Sequence, residues 1–194
     1  MNKPLMATAL AVAALIAAPA QATSVALAAD GTWNEFDIDS LLSTDGDSGW
    51  IDEAYAGDDS ALSFTFTIAA GSHGTLTVVD TGFAGDTFSI TNGGAVLGTT
   101  SSVPAGTSAG ALVFGYDDAL ANPAYSSGVF TLGAGSYSIS GLQLQSVDGD
   151  LDATSGGLRL SVSSIPEPTN AALMFAGVAA LAALARRRKS ATRI

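Results

Sequence analysis

The chain has 194 residues, which is the length of one domain accompanied by signals. It contains no cysteine, and this excludes disulfide bonds, thiol catalysis and thiolate metal sites. Residues 23–165 carry 17 acidic side chains against the single base Arg159, a formal charge of 1 − 17 = −16, and so acidic a body excludes nucleic acid as a partner.

The first 22 residues have the pattern of a secretory signal peptide. Lys3 supplies a positive start, and residues 5–18 form an apolar, alanine-rich stretch. Ala20 and Ala22 then place small residues at positions −3 and −1 of a cleavage site. We therefore expect residues 1–22 to be a signal peptide helix that is removed after Ala22, and the protein to be exported.

Residues 23–164 are predicted to form one β-rich passenger domain. Apolar and polar residues alternate repeatedly here with a period of two, whereas no stretch keeps helical spacing for three turns. Turn residues separate the strand-like segments every eight to twelve residues. The pattern predicts an all-β fold, a jelly-roll-like antiparallel sandwich. The predicted strands are 32–38, 62–68, 75–79, 86–90, 95–99, 112–116, 128–132, 137–140, 141–145 and 158–162.

Two local signals sharpen this prediction. Asn92-Gly93-Gly94 lies between two strand segments and predicts a tight hairpin, because its turn needs positive φ. Residues 117–123 predict a single helical turn, which Pro123 ends because proline cannot continue a helix.

The body offers no convincing catalytic group, and we expect no enzymatic activity. His73 is the only histidine, and its neighbours Ser72 and Gly74 place it in a predicted turn between two strands. Nothing else in the sequence supports a Ser-His-Asp arrangement around it. A zinc site built from one histidine and no cysteine is equally unsupported.

One acidic segment is a candidate calcium loop. Asp148, Asp150 and Asp152 have the alternate spacing that opens an EF-hand loop. The rest of that motif is missing, because Ala153 stands where glycine is needed and Arg159 where a bidentate glutamate is needed. A looser calcium site and a solvated acidic turn both remain open, and no other cofactor is predicted.

The C-terminal region, residues 165–190, has three parts. Pro166, Glu167 and Pro168 make a stiff, extended peptide, because each proline fixes its own φ and restricts its predecessor. Residues 171–185 follow without a charge and predict an apolar transmembrane helix. Arg186, Arg187, Arg188 and Lys189 then form a basic block, which the positive-inside rule places in the cytoplasm.

These three parts in this order, with Ile165 leading into Pro166-Glu167-Pro168, resemble the PEP-CTERM sorting signal of exported Gram-negative proteins. Valine is the usual first residue, so Ile165 is a mild departure. The resemblance implies that Pro166, Glu167 and Pro168 are recognised by an exosortase, a membrane enzyme that removes the apolar helix. It also implies an association with exopolysaccharide or biofilm. The stretch 81–100 and residues 128–139 are similar to other passengers of such signals, which carry no known activity.

We therefore expect a non-enzymatic protein of the cell surface or extracellular matrix. Its precursor is tethered to the inner membrane, and its predicted partners are exosortase, the membrane before processing, and exopolysaccharide. One alternative is a calcium-dependent or carbohydrate-binding secreted module. Such a module could carry a family label that mentions an ice-binding C-terminal domain. A permanently membrane-anchored envelope protein is the third interpretation.

Overall fold

The computed structural model describes residues 22–39, 48–104, 112–147, 153–165 and 170–191, and within the last range the side chains of 173–182 and 186. The described residues form nine strands and two helices. In chain order these are β1 Thr23–Ala26, β2 Asn34–Ile38, β3 Leu62–Ile68, β4 Ser72–Thr81, β5 Thr87–Asn92, β6 Ala95–Thr99, α1 Tyr116–Ala121, β7 Ser127–Leu132, β8 Gly135–Gln145, β9 Thr154–Ser164 and α2 Asn170–Ala191.

The strands form two sheets, with the orders β1-β3-β8-β5-β6 and β2-β9-β4-β7. The pairs β5–β6, β4–β7, β3–β8 and β2–β9 are all antiparallel and nest within one another. This is the order produced when a long hairpin is wrapped into two sheets, as in a jelly roll. β1 is an addition at one edge and runs parallel to β3, so the sandwich is not wholly antiparallel.

The core lies between the two sheets and takes alternate residues from both. Leu76, Val78 and Leu158 come from one sheet, and Phe64 and Ile139 from the other, all at 0 % exposure. Alternate side chains of a strand point to opposite faces, so this pattern is the alternation that the sequence predicts. The predicted all-β sandwich is thereby confirmed.

A second, smaller core lies on the outer face of β4. Val79 packs there with Ala119 of α1 and with Tyr125. α1 begins after Gly115 with Asp117 and Asp118 in its first turn, where carboxylates complement the helix dipole, and ends at Asn122 before Pro123. The predicted helical turn is confirmed.

Three predictions about elements are wrong. Residues 112–116 make only a single bridge, Val113 to Gly82, and Tyr116 already belongs to α1. Segments 137–140 and 141–145 are one continuous strand, β8, because Gly141 keeps its place in the ladder opposite Ile90. His73 lies in β4 opposite Ser163, since the preceding turn comes earlier, at residues 69–71.

The C-terminal helix α2 is longer than predicted. It has 22 residues, so the basic block continues the helix instead of following it. Its side chains at Leu173, Met174, Phe175, Val178 and Leu181 are 61–75 % exposed. Among the described residues, no helix has the length and apolarity needed to cross a membrane. The transmembrane helix therefore stays a prediction, and the signal peptide helix at 1–22 lies almost wholly outside the described residues.

Candidate functional site: an acidic cleft beside a buried polar cluster

One end of the sandwich carries an open cleft of about 270 Å³. It lies where β2 and β4 end and β9 begins. The lining combines acids with apolar side chains. Its residues are Asp37, Ile38, Asp39, Glu53, Thr81, Gly82, Phe83, Asp86, Leu112, Phe114, Val147, Ala153, Thr154 and Ser155.

Three apolar side chains of the lining are exposed to water. Phe83 is 53 % exposed, Leu112 43 % and Phe114 69 %. Isolated exposed apolar residues are ordinary, but three that line one concave surface form a patch of the kind that covers a ligand. None of the three belongs to a strand, so their exposure is not a by-product of sheet alternation.

Negative charge accumulates at the same cleft. Burial, together with the weaker effect of the charges of Glu35, Glu53 and Asp52, raises the pKa of Asp37 to about 7. Among the described residues, no hydrogen bond or ion pair offsets this charge at Asp37. Part of the Asp37 population is therefore neutral near pH 7, which is the range in which a carboxyl group exchanges protons readily.

Asp52 has the opposite environment, although it is close to Asp37. It is fully buried, and burial raises its pKa, but hydrogen bonds from the backbone N–H groups of Tyr55 (2.8 Å) and Ala56 (2.9 Å) reverse the effect and lower it overall. The same contacts hold the turn after Ile51 in place. Asp52 is thus a structural carboxylate that orders the cleft wall beside Glu53.

Asp86 connects the cleft to the interior. It is 2 % exposed. Its Oδ1 accepts hydrogen bonds from the Val147 N–H (2.8 Å) and from Nε2 of Gln143 (3.3 Å), and its Oδ2 accepts one from the Thr154 hydroxyl (2.5 Å). Val147 and Thr154 stand close on either side of the candidate calcium loop 148–152. Asp86 therefore bonds to described residues on both sides of that loop.

Asp80 lies behind Asp86 and is 0 % exposed. Among the described residues, no donor makes a hydrogen bond of good geometry to either of its carboxylate oxygens. Burial, together with the weaker effect of the charge of Asp86, raises the pKa of Asp80 to about 8. The N–H groups of Gly85, Asp86 and Ser126 oppose this by lowering its pKa. We attribute their effect to nearby dipoles and not to hydrogen bonds, because the geometry of a bond is missing.

The single base of the body does not neutralise these acids. Arg159 forms an ion pair with Asp117 (3.0 Å) and stacks over the ring of Trp33 at 4.4 Å from its centroid. Trp33 in turn donates to the same Asp117 oxygen and stacks on Tyr116. This network fastens α1 to β9 and accounts for Arg159 without any part in the cleft.

Most site residues predicted from the sequence lie outside the described residues. These are Ala20, Pro166, Glu167, Pro168, Asp148, Asp150 and Asp152. Ala22 is exposed ahead of β1, and Arg186 is exposed in α2, whose backbone includes Arg187, Arg188 and Lys189. Among the described residues, no group of three or more His, Asp or Glu side chains is arranged to hold a metal.

Sequence reasoning missed Asp80 and Asp86. A signal for Asp80 was present, because Asp80 keeps the alternate phase of the core residues Leu76 and Val78, and an acid in that phase faces the interior. The three exposed apolar residues of the cleft gave no such signal, since Leu112 and Phe114 lie in a segment whose pattern indicates a strand.

Comparisons with known proteins leave the family open. No protein-family model matches the chain, and no curated protein does. Two solved structures are similar at 11 % and 14 % identity: the pre-peptidase C-terminal domain of collagenase from Bacillus anthracis (TM-score 0.38) and Aeromonas hydrophila PliG, a periplasmic inhibitor of g-type lysozyme (TM-score 0.35). Each match covers 74 % of this chain and 98 % of the other. Likeness at these TM-scores carries nothing over to the site, whose residues have to be interpreted by themselves.

Proposed function

We propose that this chain is an exported, non-enzymatic surface or matrix protein that is sorted through its C-terminal segment. The observation that carries the proposal is the exposure of α2. Its apolar side chains from Leu173 to Leu181 are 61–75 % exposed, whereas the sandwich has a complete core of its own.

A helix that is apolar on all sides needs a nonpolar environment, because water contact at Leu, Met and Phe side chains costs about 1.5–3 kcal/mol for each one left unburied. The apolar part, residues 171–185, spans only ~22 Å at 1.5 Å per residue. It is therefore suited to a temporary tether better than to a lasting anchor. In this proposal Arg186 to Lys189 hold the cytoplasmic side, and exosortase recognises Pro166, Glu167 and Pro168.

The intact mass of the exported protein tests the sorting proposal. In a host that contains an exosortase, the mature chain should begin at Thr23 and lack residues 171–194. Replacing Pro166, Glu167 and Pro168 together by alanine should leave the tail in place and hold the protein in the membrane fraction. Replacing Ser163 and Ser164 by alanine is the matched control and should be processed normally. An exported wild-type chain that retains residues 171–188 contradicts the proposal and favours a permanent anchor.

The cleft supports a second candidate function, carbohydrate binding. Phe83 and Phe114 offer exposed apolar faces, while Asp37 and Glu53 offer acceptors for sugar hydroxyls at the same concave surface. Exopolysaccharide is the ligand class that agrees with the sorting proposal. Binding to an array of bacterial glycans should be lost in Phe114→Ala and kept in Val129→Ala, an equally exposed residue on β7. Equal binding by both variants, or none by the wild type, contradicts this second function.

A further inference from the structure

Three polar side chains point into the sandwich interior at one end, where apolar residues are expected. Asp80 continues the inward phase of Leu76 and Val78 in β4. Gln143 continues the inward phase of Ile139 in β8, which belongs to the opposite sheet. Asp86 joins them, because Nε2 of Gln143 donates to its Oδ1. The two sheets thus meet at this end through polar groups.

These groups are buried and incompletely bonded. Asp80, Asp86 and Gln143 are 0 %, 2 % and 3 % exposed. Among the described residues, both carboxylate oxygens of Asp80, the amide oxygen of Gln143 and the hydroxyl of Ser146 lack a hydrogen-bond partner. Ser146 directly precedes Val147, whose N–H donates to Asp86, so its hydroxyl belongs to the same end of the sandwich.

Buried polar groups are almost always bonded, and each one left without a partner costs about 1–3 kcal/mol. Two neighbouring buried carboxylates cost more unless one of them takes up a proton or a cation accompanies them. The only base of the body, Arg159, is paired with Asp117. The unsatisfied atoms here are all oxygens, which is the donor set that a hard cation requires.

We propose that this end of the sandwich binds one calcium ion through Asp80, Asp86 and the amide oxygen of Gln143, with the Ser146 hydroxyl as a further oxygen donor. Calcium fits better than magnesium, because it accepts irregular sets of carboxylate, amide and hydroxyl oxygens and sheds its water more readily. Zinc is disfavoured, because cysteine is absent and His73 lies near the other end of β4. The proposed site has only two carboxylates, and its other donors are neutral oxygens. It is therefore compatible with the finding that no group of three His, Asp or Glu side chains is arranged to hold a metal among the described residues.

The ion would act as a clasp between the sheets. Asp80 belongs to one sheet and Gln143 to the other, and Asp86 also accepts hydrogen bonds from Val147 and Thr154. In a chain without disulfide bonds, such a clasp couples cation binding to folding stability. This inference does not depend on the sorting proposal, because all of its residues lie within the sandwich.

Thermal unfolding of the full chain in mild detergent tests the inference. Calcium at a concentration well above its Kd should raise Tm by about 5 °C or more over the chelated protein. Magnesium at equal ionic strength should raise it less. Asp80→Asn should fold without calcium, because a neutral amide costs less to bury than a carboxylate, and should lose the calcium shift. Asp118→Asn, which removes the same charge from the exposed surface, should keep it.

Three outcomes overturn the inference: no calcium shift in the wild type, an equal shift in Asp80→Asn, or an equal loss of the shift in Asp118→Asn. A triple variant with Asp148, Asp150 and Asp152 changed to Asn separates the neighbouring loop. If it alone abolishes the shift, the ion is held by the loop and not by Asp80. Should Asp80→Asn fail to fold, titration calorimetry of Gln143→Leu decides instead. A Kd at least about tenfold weaker for calcium supports the site, since losing even an outer-shell partner of a bound metal typically weakens its affinity about 10–100-fold, and an unchanged Kd overturns it.

Discussion

At the scale of single residues, Gly141 shows how closely the core approaches the backbone. A Cβ placed on Gly141 would lie 2.6–2.8 Å from atoms of the Trp50 indole. That ring has little room to move, because it stacks on Phe36 at 4.0 Å and meets Phe64 edge-on at 6.1 Å. Glycine is therefore required here for space, since its φ is not in the left-handed region.

We predict that Gly141→Ala lowers the free energy of unfolding by about 1–3 kcal/mol, the usual cost of overpacking a filled core. Urea unfolding followed by Trp fluorescence measures the change. Gly133→Ala is the matched control, because a Cβ there meets nothing within 4 Å, and it should unfold like the wild type. Equal stability of all three proteins would show that the Trp50 ring can shift.

Asp37 makes the free energy of unfolding depend on pH, and its raised pKa determines the direction of that dependence. Its pKa is about 7 in the folded protein, against about 3.9 in an unfolded chain. Between these values the folded state binds the proton more tightly, so stability decreases as pH rises and the loss is complete above about pH 7. The negative charges of Glu35, Asp52 and Glu53 repel that of Asp37, and Asp39 and Asp86 line the same cleft.

Asp37→Asn should therefore be more stable than the wild type by about 1–2 kcal/mol near pH 8, after allowance for screening at a partly exposed group. Near pH 4 the two proteins should be equally stable. Urea unfolding at the two pH values measures the difference. Asp58→Asn, which removes an exposed carboxylate outside the cleft, is the control for the change of net charge alone. A gain by Asp37→Asn that is the same at both pH values would contradict the assignment.

At the scale of elements, the structure contains the predicted β5–β6 hairpin with its turn at the predicted residues. Asn92 pairs with Ala95, so Gly93 and Gly94 form the two-residue turn, with φ of 54° and 83°. Two positive φ values match the twist of the flanking strands and favour glycine or asparagine. The turn residues therefore fix the register of β6, whose own side chains are mostly exposed.

We predict that Gly94→Val destabilises the fold by more than about 1 kcal/mol, because a β-branched residue is strained at positive φ. Gly93→Asn should be nearly neutral, since asparagine tolerates the left-handed region. Thermal unfolding of both variants tests the pair. If the two variants lose equal stability, turn conformation is not the cause.

At the scale of the whole molecule, charge and apolar surface are separated along the chain. The sandwich with its −16 charge closes its own core, while α2 leaves its apolar side chains exposed. Ser164 ends β9, and Ile165 is still bonded by its N–H to the carbonyl of Gly71. The sandwich therefore extends as far as Ile165.

A chain of residues 23–165 should fold with the Tm of the longer protein and remain monomeric, because its net charge opposes association. Circular dichroism and light scattering measure this. A chain of residues 23–160 is the informative control. It removes the β9 partners of His73 and Gly74 and should lose stability. Aggregation or a non-cooperative transition of the 23–165 chain would mean that the tail contributes to the fold.

The sequence by itself determined the fold class and most strands, because an alternating pattern specifies which face of a strand is buried whatever its partners are. It also determined the α1 turn and the β5–β6 hairpin, which depend on Pro123 and on adjacent glycines. It misplaced His73 and split β8 at Gly141, because glycine signals a turn unless a distant ring such as Trp50 fills the space beside it. The edge strand β1 was missed because it pairs with β3, which lies far along the chain, and a short segment gives little sign of such a partner.

Only the tertiary structure decided what the acids do. Gln143 is 57 positions from Asp86 along the chain and farther from Asp80. The three meet because β4 and β8 end, and β5 begins, at the same side of the sandwich. Likewise the pKa of Asp37 is raised first by burial and then by the charges of Glu35, Glu53 and Asp52, and pairing around Ile51 brings the last two to β2. Burial and electrostatic energy depend on distance in space, whereas a pattern along the chain records only which residues are neighbours in sequence.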